Sequence, residues 1–367
     1  MASFRKAYLL KQRIAGNMLR KNGVHGIGVG LRDPKRPKRG AAIIVYADAL
    51  STTVASKKNA KSKRPPTLPR YLKPRDGVPI RIVRSPRFCK RGSNGNGGKY
   101  TRRIRPVVAG YSVGTADASG TAGLIVSSDA NGCSRLILSN NHVLADNNTG
   151  CFSPTLQPGG ADGGTTAKDR IGQLERVTKL RKKRPNYLDA ATSKPFRRSL
   201  LKPAYAVYGA VPGHVRSYKI GDRLKKVGRT TGVVTGTVES IHTDVQVDYG
   251  DYGNLGTITF KDQSVIRGKR PVSLEGDSGS VWLTNKGNLA AAVNFAGSEN
   301  GMLSISYPIE WFMQVFGARV AKPRKGRMLR PQKGKSGKYM CIRPLPAKLV
   351  KSLRPIHASP RPHRRHV

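Results

Sequence analysis

Apolar positions fall along this chain in two rhythms. Near the start, Leu10, Ile14 and Met18 recur one helical turn apart, which predicts an amphipathic helix within residues 1–21. Val24 to Leu31 and Ala41 to Ala47 read as strands joined by the basic loop Arg32 to Gly40, and Val78 to Val83 as a third strand. Together they predict a small α/β module over residues 1–90. A Lys/Arg/Pro-rich stretch, 57–75, interrupts it. Residues 91–105 follow as a basic, Gly-rich linker, flexible over 91–99. Beyond the linker, short apolar runs bounded by turn residues recur at intervals of roughly ten residues. They cover 107–113, 122–127, 135–139, 233–241, 243–249, 255–260, 280–284, 289–295 and 302–306. This is the pattern of an antiparallel all-β domain, placed at 106–318. Pro308 to Val320 closes it as a helix, with Ile309, Phe312, Met313 and Phe316 on one face. After Lys322 large apolar residues become sparse and seven prolines follow. Such a stretch buries too little apolar surface to offset its chain entropy, so 319–367 is expected to be a disordered tail.

Charge sharpens these boundaries. The chain has 367 residues, room for two or three compact units, and a formal net charge of +48. Residues 1–105 hold 28 Lys and Arg against 3 Asp and Glu, residues 106–318 hold 24 against 17, and residues 319–367 hold 16 against none. The middle reads as an ordinary globular domain and the flanks carry the basicity. Lys/Arg-rich segments bind phosphate backbones by releasing counter-ions, without reading sequence, so non-specific nucleic acid or another polyanion is a candidate partner. Simple solvation of the flanks is the plain alternative.

Several classes are excluded. The apolar residues Tyr8, Leu9 and Leu10 are soon broken by Lys11 and Arg13, so no secretory signal is read and a cytoplasmic location is expected. No run approaches the length of a membrane-spanning helix. Gly26-Ile27-Gly28-Val29-Gly30 sits inside a strand pattern with no helix opening after it, which argues against a dinucleotide loop. Cys89, Cys133, Cys151 and Cys341 match no zinc spacing. A Cys133–Cys151 disulfide around His142 is one option; free thiols fit better with a chain lacking an export signal. Asp248, Asp251 and Asn254 form an acidic turn without EF-hand spacing, so no metal is expected.

The chemistry is concentrated in three motifs: Ser139-Asn140-Asn141-His142-Val143-Leu144, Tyr187-Leu188-Asp189-Ala190-Ala191 and Gly276-Asp277-Ser278-Gly279-Ser280. A serine hydroxyl is a poor nucleophile at neutral pH. It needs a base to take its proton, and the base needs a carboxylate to fix its tautomer. His142, Asp189 and Ser278 supply those three roles in that order. Asp189 lies among apolar neighbours and, once buried, would need a partner such as His142. Asp146, Asp162 and Asp169 stand in Gly/Asn/Thr-rich stretches and read as loop residues. His214 and His242 are weaker candidates than His142, and His357, His363 and His366 read as solvated.

These motifs resemble the nucleophile, histidine and aspartate loops of the trypsin/chymotrypsin-like serine peptidases. The nearest likeness is to uncharacterised, mostly bacterial trypsin-like proteins with an N-terminal extension. It is carried also by Gly26 to Gly30, Leu156-Gln157-Pro158-Gly159 and Val227-Gly228-Arg229-Thr230-Thr231-Gly232, and it covers roughly residues 1–317. The resemblance implies two antiparallel β-barrels, an oxyanion hole from the N–H groups of Gly276 and Ser278, and no cofactor. By family position Val272 would floor the specificity pocket, with the strand ending at Gly297 as a wall, which implies small or apolar side chains before the cleaved bond. Asp277 is expected to pair with a positive group; no activation junction is visible to supply a new N-terminus. The expected function is a serine endopeptidase acting on proteins or peptides through an acyl-enzyme. The alternative is an inactive protease-fold scaffold whose basic flanks bind a polyanion.

Overall fold

The computed structural model describes residues 1–48, 76–90, 98–129, 134–321, 329 and 339–360. The stretch 57–75, the linker residues 91–97, Cys133, His363 and His366 lie outside them. The chain is mainly β. Helix α1 (Phe4–Leu19) is capped by Ser3, whose hydroxyl accepts from Lys6 N at 3.2 Å. Its inward stripe is Ala7, Leu10, Lys11, Ile14, Ala15 and Met18. Strands β1 (Val24–Leu31), β2 (Ala41–Ala47), β3 (Ile80–Arg84) and β4 (Phe88–Cys89) follow.

The next part contains β5 (Val107–Ala109), β6 (Ser112–Val113), β7 (Gly120–Thr121), β8 (Leu124–Ser127) and β9 (Leu136–Ser139). After the short helix α2 (Asn141–Leu144) come β10 (Pro154–Leu156), the turn α3 (Thr166–Asp169), β11 (Arg170–Val177), β12 (Ala191–Pro195) and β13 (Leu201–Tyr205). One sheet runs β10-β11-β12-β9-β8. A second set of strands comprises β14 (Arg223–Gly228), β15 (Gly232–Asp248), β16 (Thr257–Gly268), β17 (Val281–Thr284), β18 (Ala290–Ser298) and β19 (Leu303–Pro308). Their pairing order is β14-β17-β18-β19-β16-β15, and β14 pairs back onto β15, so these strands close into a ring. Helix α4 (Ile309–Phe316) leaves this ring, and β20 (Arg319–Val320) returns to β8 at the edge of the first sheet.

The N-terminal strands continue the second sheet. β1 pairs antiparallel with β15, Gly26 opposite Val245 and Gly30 opposite Ser240. The Gly-Ile-Gly-Val-Gly stretch has a packing reason here, since a Cβ on Gly28 would collide with the Thr243 side chain of β15. The contact with α1 is anchored by a buried ion pair, Lys11 Nζ to Asp244 Oδ1 at 2.6 Å. Beside it, His242 Nδ1 lies 3.9 Å from Asp262 Oδ1 and its ring stands edge-on to Tyr8.

The tail departs from expectation. Residues 339–360 are built into the fold rather than disordered. Ile220 N donates to Met340 O and Ile342 N to Tyr218 O; Trp311 Nε1 donates to Arg343 O at 2.6 Å. Helix α5 (Ala347–Ser352) packs on α4, and β21 (Ile356–His357) pairs with Arg176 and Val177 of β11. Phe152 N then donates to Ser359 O beyond α2. Edge pairing and a few buried anchors, Cys341, Ile342 and Leu345, hold this strap. None of that gives a periodic signal. Among the described residues, no helix is long and apolar enough to cross a membrane.

Two buried histidines set an acid limit on this fold. Burial lowers the pKa of His25 to about 4, against the pull of Asp48, and lowers His242 to about 4, against Asp262. The unfolded chain would bind protons on both near the ordinary value of about 6.5, so stability falls as pH drops from there toward 4. Each histidine contributes up to roughly 3 kcal/mol to that loss. Urea unfolding at stepped pH should show a decline across this window, and His25→Gln should remove roughly half of it.

Candidate functional site

The candidate site forms between the first sheet and the closed ring. β9 delivers Ser139 to its end, and α2 opens immediately with Asn141 and His142. The loop between β11 and β12 brings Asp189, fully buried, alongside. His142 Nδ1 lies 2.5 Å from Asp189 Oδ2. Asn141 N donates to Asp189 Oδ1 at 2.6 Å, and Asn140 Nδ2 to the Asp189 carbonyl at 2.5 Å. The carboxylate thus fixes the turn that carries the imidazole as well as the imidazole itself. The His142 Nε2 atom is buried and has no hydrogen-bond partner among the described residues.

Tyr249 supplies a contact that nothing in its sequence setting signals. From the tip of the β15–β16 hairpin, its hydroxyl donates to Asp189 Oδ2 at 2.5 Å, and its ring stands edge-on to His142 with centroids 5.7 Å apart. Burial, reinforced by the neighbouring Asp189 charge, holds the Tyr249 phenol protonated well above its ordinary range. It therefore acts as a donor to the carboxylate. Tyr252 from the same tip donates to Asn141 Oδ1 at 2.5 Å. The acidic turn around Asp251 and Asn254 is thus part of a hairpin tip clamped onto the histidine turn.

Ser278 sits on a turn of the ring. Its carbonyl accepts from Thr121 N at 2.7 Å, which ties the turn to β7, and its Oγ donates to Phe295 O at 3.2 Å. The neighbouring glycines are required. Gly276 has φ +86° and Gly279 φ +93°; a Cβ on Gly276 would strike the Arg229 guanidinium, and one on Gly279 the Ser139 hydroxyl of β9. That last contact places the nucleophile turn against the strand that ends in the His142 turn. The Ser278 Oγ and His142 Nε2 are not hydrogen-bonded to each other in this arrangement. Among the described residues, neither Gly276 N nor Ser278 N donates to a protein acceptor.

The partner expected for Asp277 is Lys226 of β14, at 3.4 Å from Nζ to Oδ2, both side chains fully buried. Thr230 N and Thr231 N donate to Asp277 Oδ1 and Leu274 N to Oδ2, each at 3.0 Å. Burial lowers the Lys226 pKa while Asp277 opposes it. Asp162, read from sequence as a loop residue, is instead buried with Arg229, whose Nε lies 2.8 Å from its Oδ2. Arg229 N donates to Thr121 Oγ1, which donates to Gly276 O at 2.9 Å. The Val-Gly-Arg-Thr-Thr-Gly motif is therefore the brace of the nucleophile turn. Its role could be guessed only by pairing residues 67 positions apart.

The remaining candidates have other neighbours. Val272 is buried in a core cluster with Leu224, Ile266 and Trp282, and a Cβ on Gly297 would meet Ser273. His214 Nε2 pairs with Glu310 Oε2 at 2.7 Å. Cys151 is a free thiol.

No protein-family model and no curated protein matches the chain. Solved structures to which it is similar are trypsin/chymotrypsin-like serine proteases. A glutamic-acid-specific serine protease that utilises a histidine triad in substrate binding is 19% identical, covering 58% of this chain and 100% of its own, with a TM-score of 0.43. Nocardiopsis protease is 18% identical over 59% of this chain and 99% of its own, TM-score 0.42. Thermobifida fusca protease A is 17% identical over the same shares, TM-score 0.43.

The Lys226–Asp277 pair is the sharpest test of this architecture. Removing one partner of a buried pair strands the other charge, at a cost of roughly 3–5 kcal/mol. Lys226→Met should lower the urea unfolding free energy by that amount, whereas Arg223→Met, at the exposed position of the same strand, should change it little.

Proposed function

We propose that the protein is a serine endopeptidase in which Ser278, His142 and Asp189 act as nucleophile, base and orienting carboxylate. The observation that carries this reading is the imidazole held by Asp189 at Nδ1, its buried Nε2 without a partner among the described residues, on the turn that follows the strand packed against the glycine-flanked Ser278 turn. Rotation of the Ser278 side chain from Phe295 O toward Nε2 would complete the relay. The Oγ attacks a peptide carbonyl and its proton passes to His142 Nε2. The N–H groups of Gly276 and Ser278, free of protein acceptors, receive the developing oxyanion, an effect worth on the order of 10²–10³ in rate per donor. His142 returns the proton to the leaving amine as the C–N bond breaks. A water, deprotonated by the same nitrogen, then hydrolyses the acyl ester. The two sheets are read as the two barrels of such an enzyme, and Tyr249 as a positioning residue for Asp189.

The uneven charge favours a second, compatible reading. With 28 basic residues before position 106 and 16 after 318, the flanks would tether the enzyme to nucleic acid or another polyanion without sequence selection.

A fluorophosphonate probe should label the folded wild-type protein, and Ser278→Ala should abolish labelling. His142→Ala should slow peptide hydrolysis by a factor on the order of 10⁴–10⁶. Equal labelling of Ser278→Ala would refute the assignment. For the tether, log affinity for random-sequence DNA should fall linearly with log salt, by about 0.9 per phosphate contacted. A flat dependence removes that reading.

A further inference from the structure

Beside the Ser278 turn, one edge of β18 is covered in part by the chain's own N-terminal segment. β17 covers β18 only over Ala290–Val293. Further along the same edge, Gly279 N donates to Asn294 O, and Phe295 O receives the Ser278 hydroxyl. Then β4 takes over: Cys89 pairs antiparallel with Gly297, and Phe88 with Ser298. Between the nucleophile turn and β4, the interval left on this edge is Phe295 and Ala296.

An extended peptide adds to a sheet edge through its backbone. One that presents its carbonyl to Ser278 along β18 would run antiparallel to it, with the residue before the cleaved bond opposite Phe295. The residue upstream would face Ala296. The third would need Gly297, where Cys89 already sits, and the fourth Ser298, where Phe88 sits. β4 runs in the direction such a peptide would take and occupies its upstream positions.

This occupant is fixed in place. The Phe88 ring is almost fully buried, edge-on to His25 with centroids 4.6 Å apart and packed on Tyr46. Its other side pairs with β15, Val247 opposite Phe88 and Asp248 opposite Cys89. His25 Nε2 and Ser85 Oγ, 2.9 Å apart, hold the approach to the strand. At the exit, Lys90 N donates to Asp248 O on β15, and Lys90 Nζ lies 5.1 Å over the Tyr252 ring.

Resting on the peptidase reading, we infer that β4 is a permanent wall of the substrate cleft and limits backbone recognition upstream of the cleaved bond to two residues. Specificity is then carried by those two residues and by the downstream side. The substrate class is peptide in which a third or fourth upstream residue adds nothing to binding.

The test uses the full-length wild-type protein and alanyl peptide diphenyl phosphonates of one to four residues, with a small alkyl fluorophosphonate as reference. Inactivation should quicken from one residue to two and then stay level within about twofold, because no new backbone hydrogen bonds become available. A gain of about tenfold or more from the third or fourth residue, with the small probe also reacting, overturns the inference and leaves the peptidase reading intact. Reaction with the small probe alone, and with no peptide phosphonate, also overturns it, since the two-residue interval would then be closed. Failure of the small probe on folded protein overturns the peptidase reading itself, and this inference with it.

Discussion

A buried carboxylate with no counter-charge is among the costliest things a fold can contain, and the site is organised around avoiding that at Asp189. Its two oxygens accept from the Asn141 amide, from the His142 ring and from the Tyr249 hydroxyl. These donors come from the β9–α2 turn of one sheet and from the tip of a hairpin rooted in the other. Satisfying one charge therefore fixes how the two halves meet. The orientation of His142 follows from the same demand.

The same logic repeats through the molecule. The chain has only 20 acidic residues against 68 basic ones, yet several of the acids are spent inside. Asp244 holds Lys11, Asp162 holds Arg229, Asp277 holds Lys226, and Glu310 holds His214. Each pair joins segments distant in sequence. Buried pairs of this kind add little net stability over a well-packed apolar alternative, but breaking one is expensive, so they select one arrangement of the chain.

Legibility in the sequence divides along the same line. β1 and β2 match their apolar runs residue for residue, and α1 follows from Leu10, Ile14 and Met18, because local periodicity reports a buried face directly. The three motifs around His142, Asp189 and Ser278 are legible because backbone geometry demands particular small or polar neighbours there. Lys226, Arg229 and Tyr249 are not legible as parts of the site. Lys226 looks like any strand lysine, and Tyr249 sits in a stretch with the composition of an acidic turn. The strap over 339–360 escapes for another reason: it is held by main-chain hydrogen bonds to existing edges, which leave no trace in side-chain pattern.

The N-terminal segment fills such edges from within the chain. β15 would otherwise present unpaired N–H and C=O groups along Ser240 to Val245, and an open edge of that kind invites pairing with another chain. β1 covers it, α1 neutralises Asp244 from outside, and β4 closes the gap between β15 and β18. The segment thus contributes at once to edge protection, charge satisfaction and coverage of the β18 edge beside the Ser278 turn. Lys11, Gly28 and Phe88 are the positions on which it depends. A larger residue at position 28 meets Thr243, a neutral one at 11 strands a carboxylate, and a smaller one at 88 unpins β4 from His25 and Tyr46.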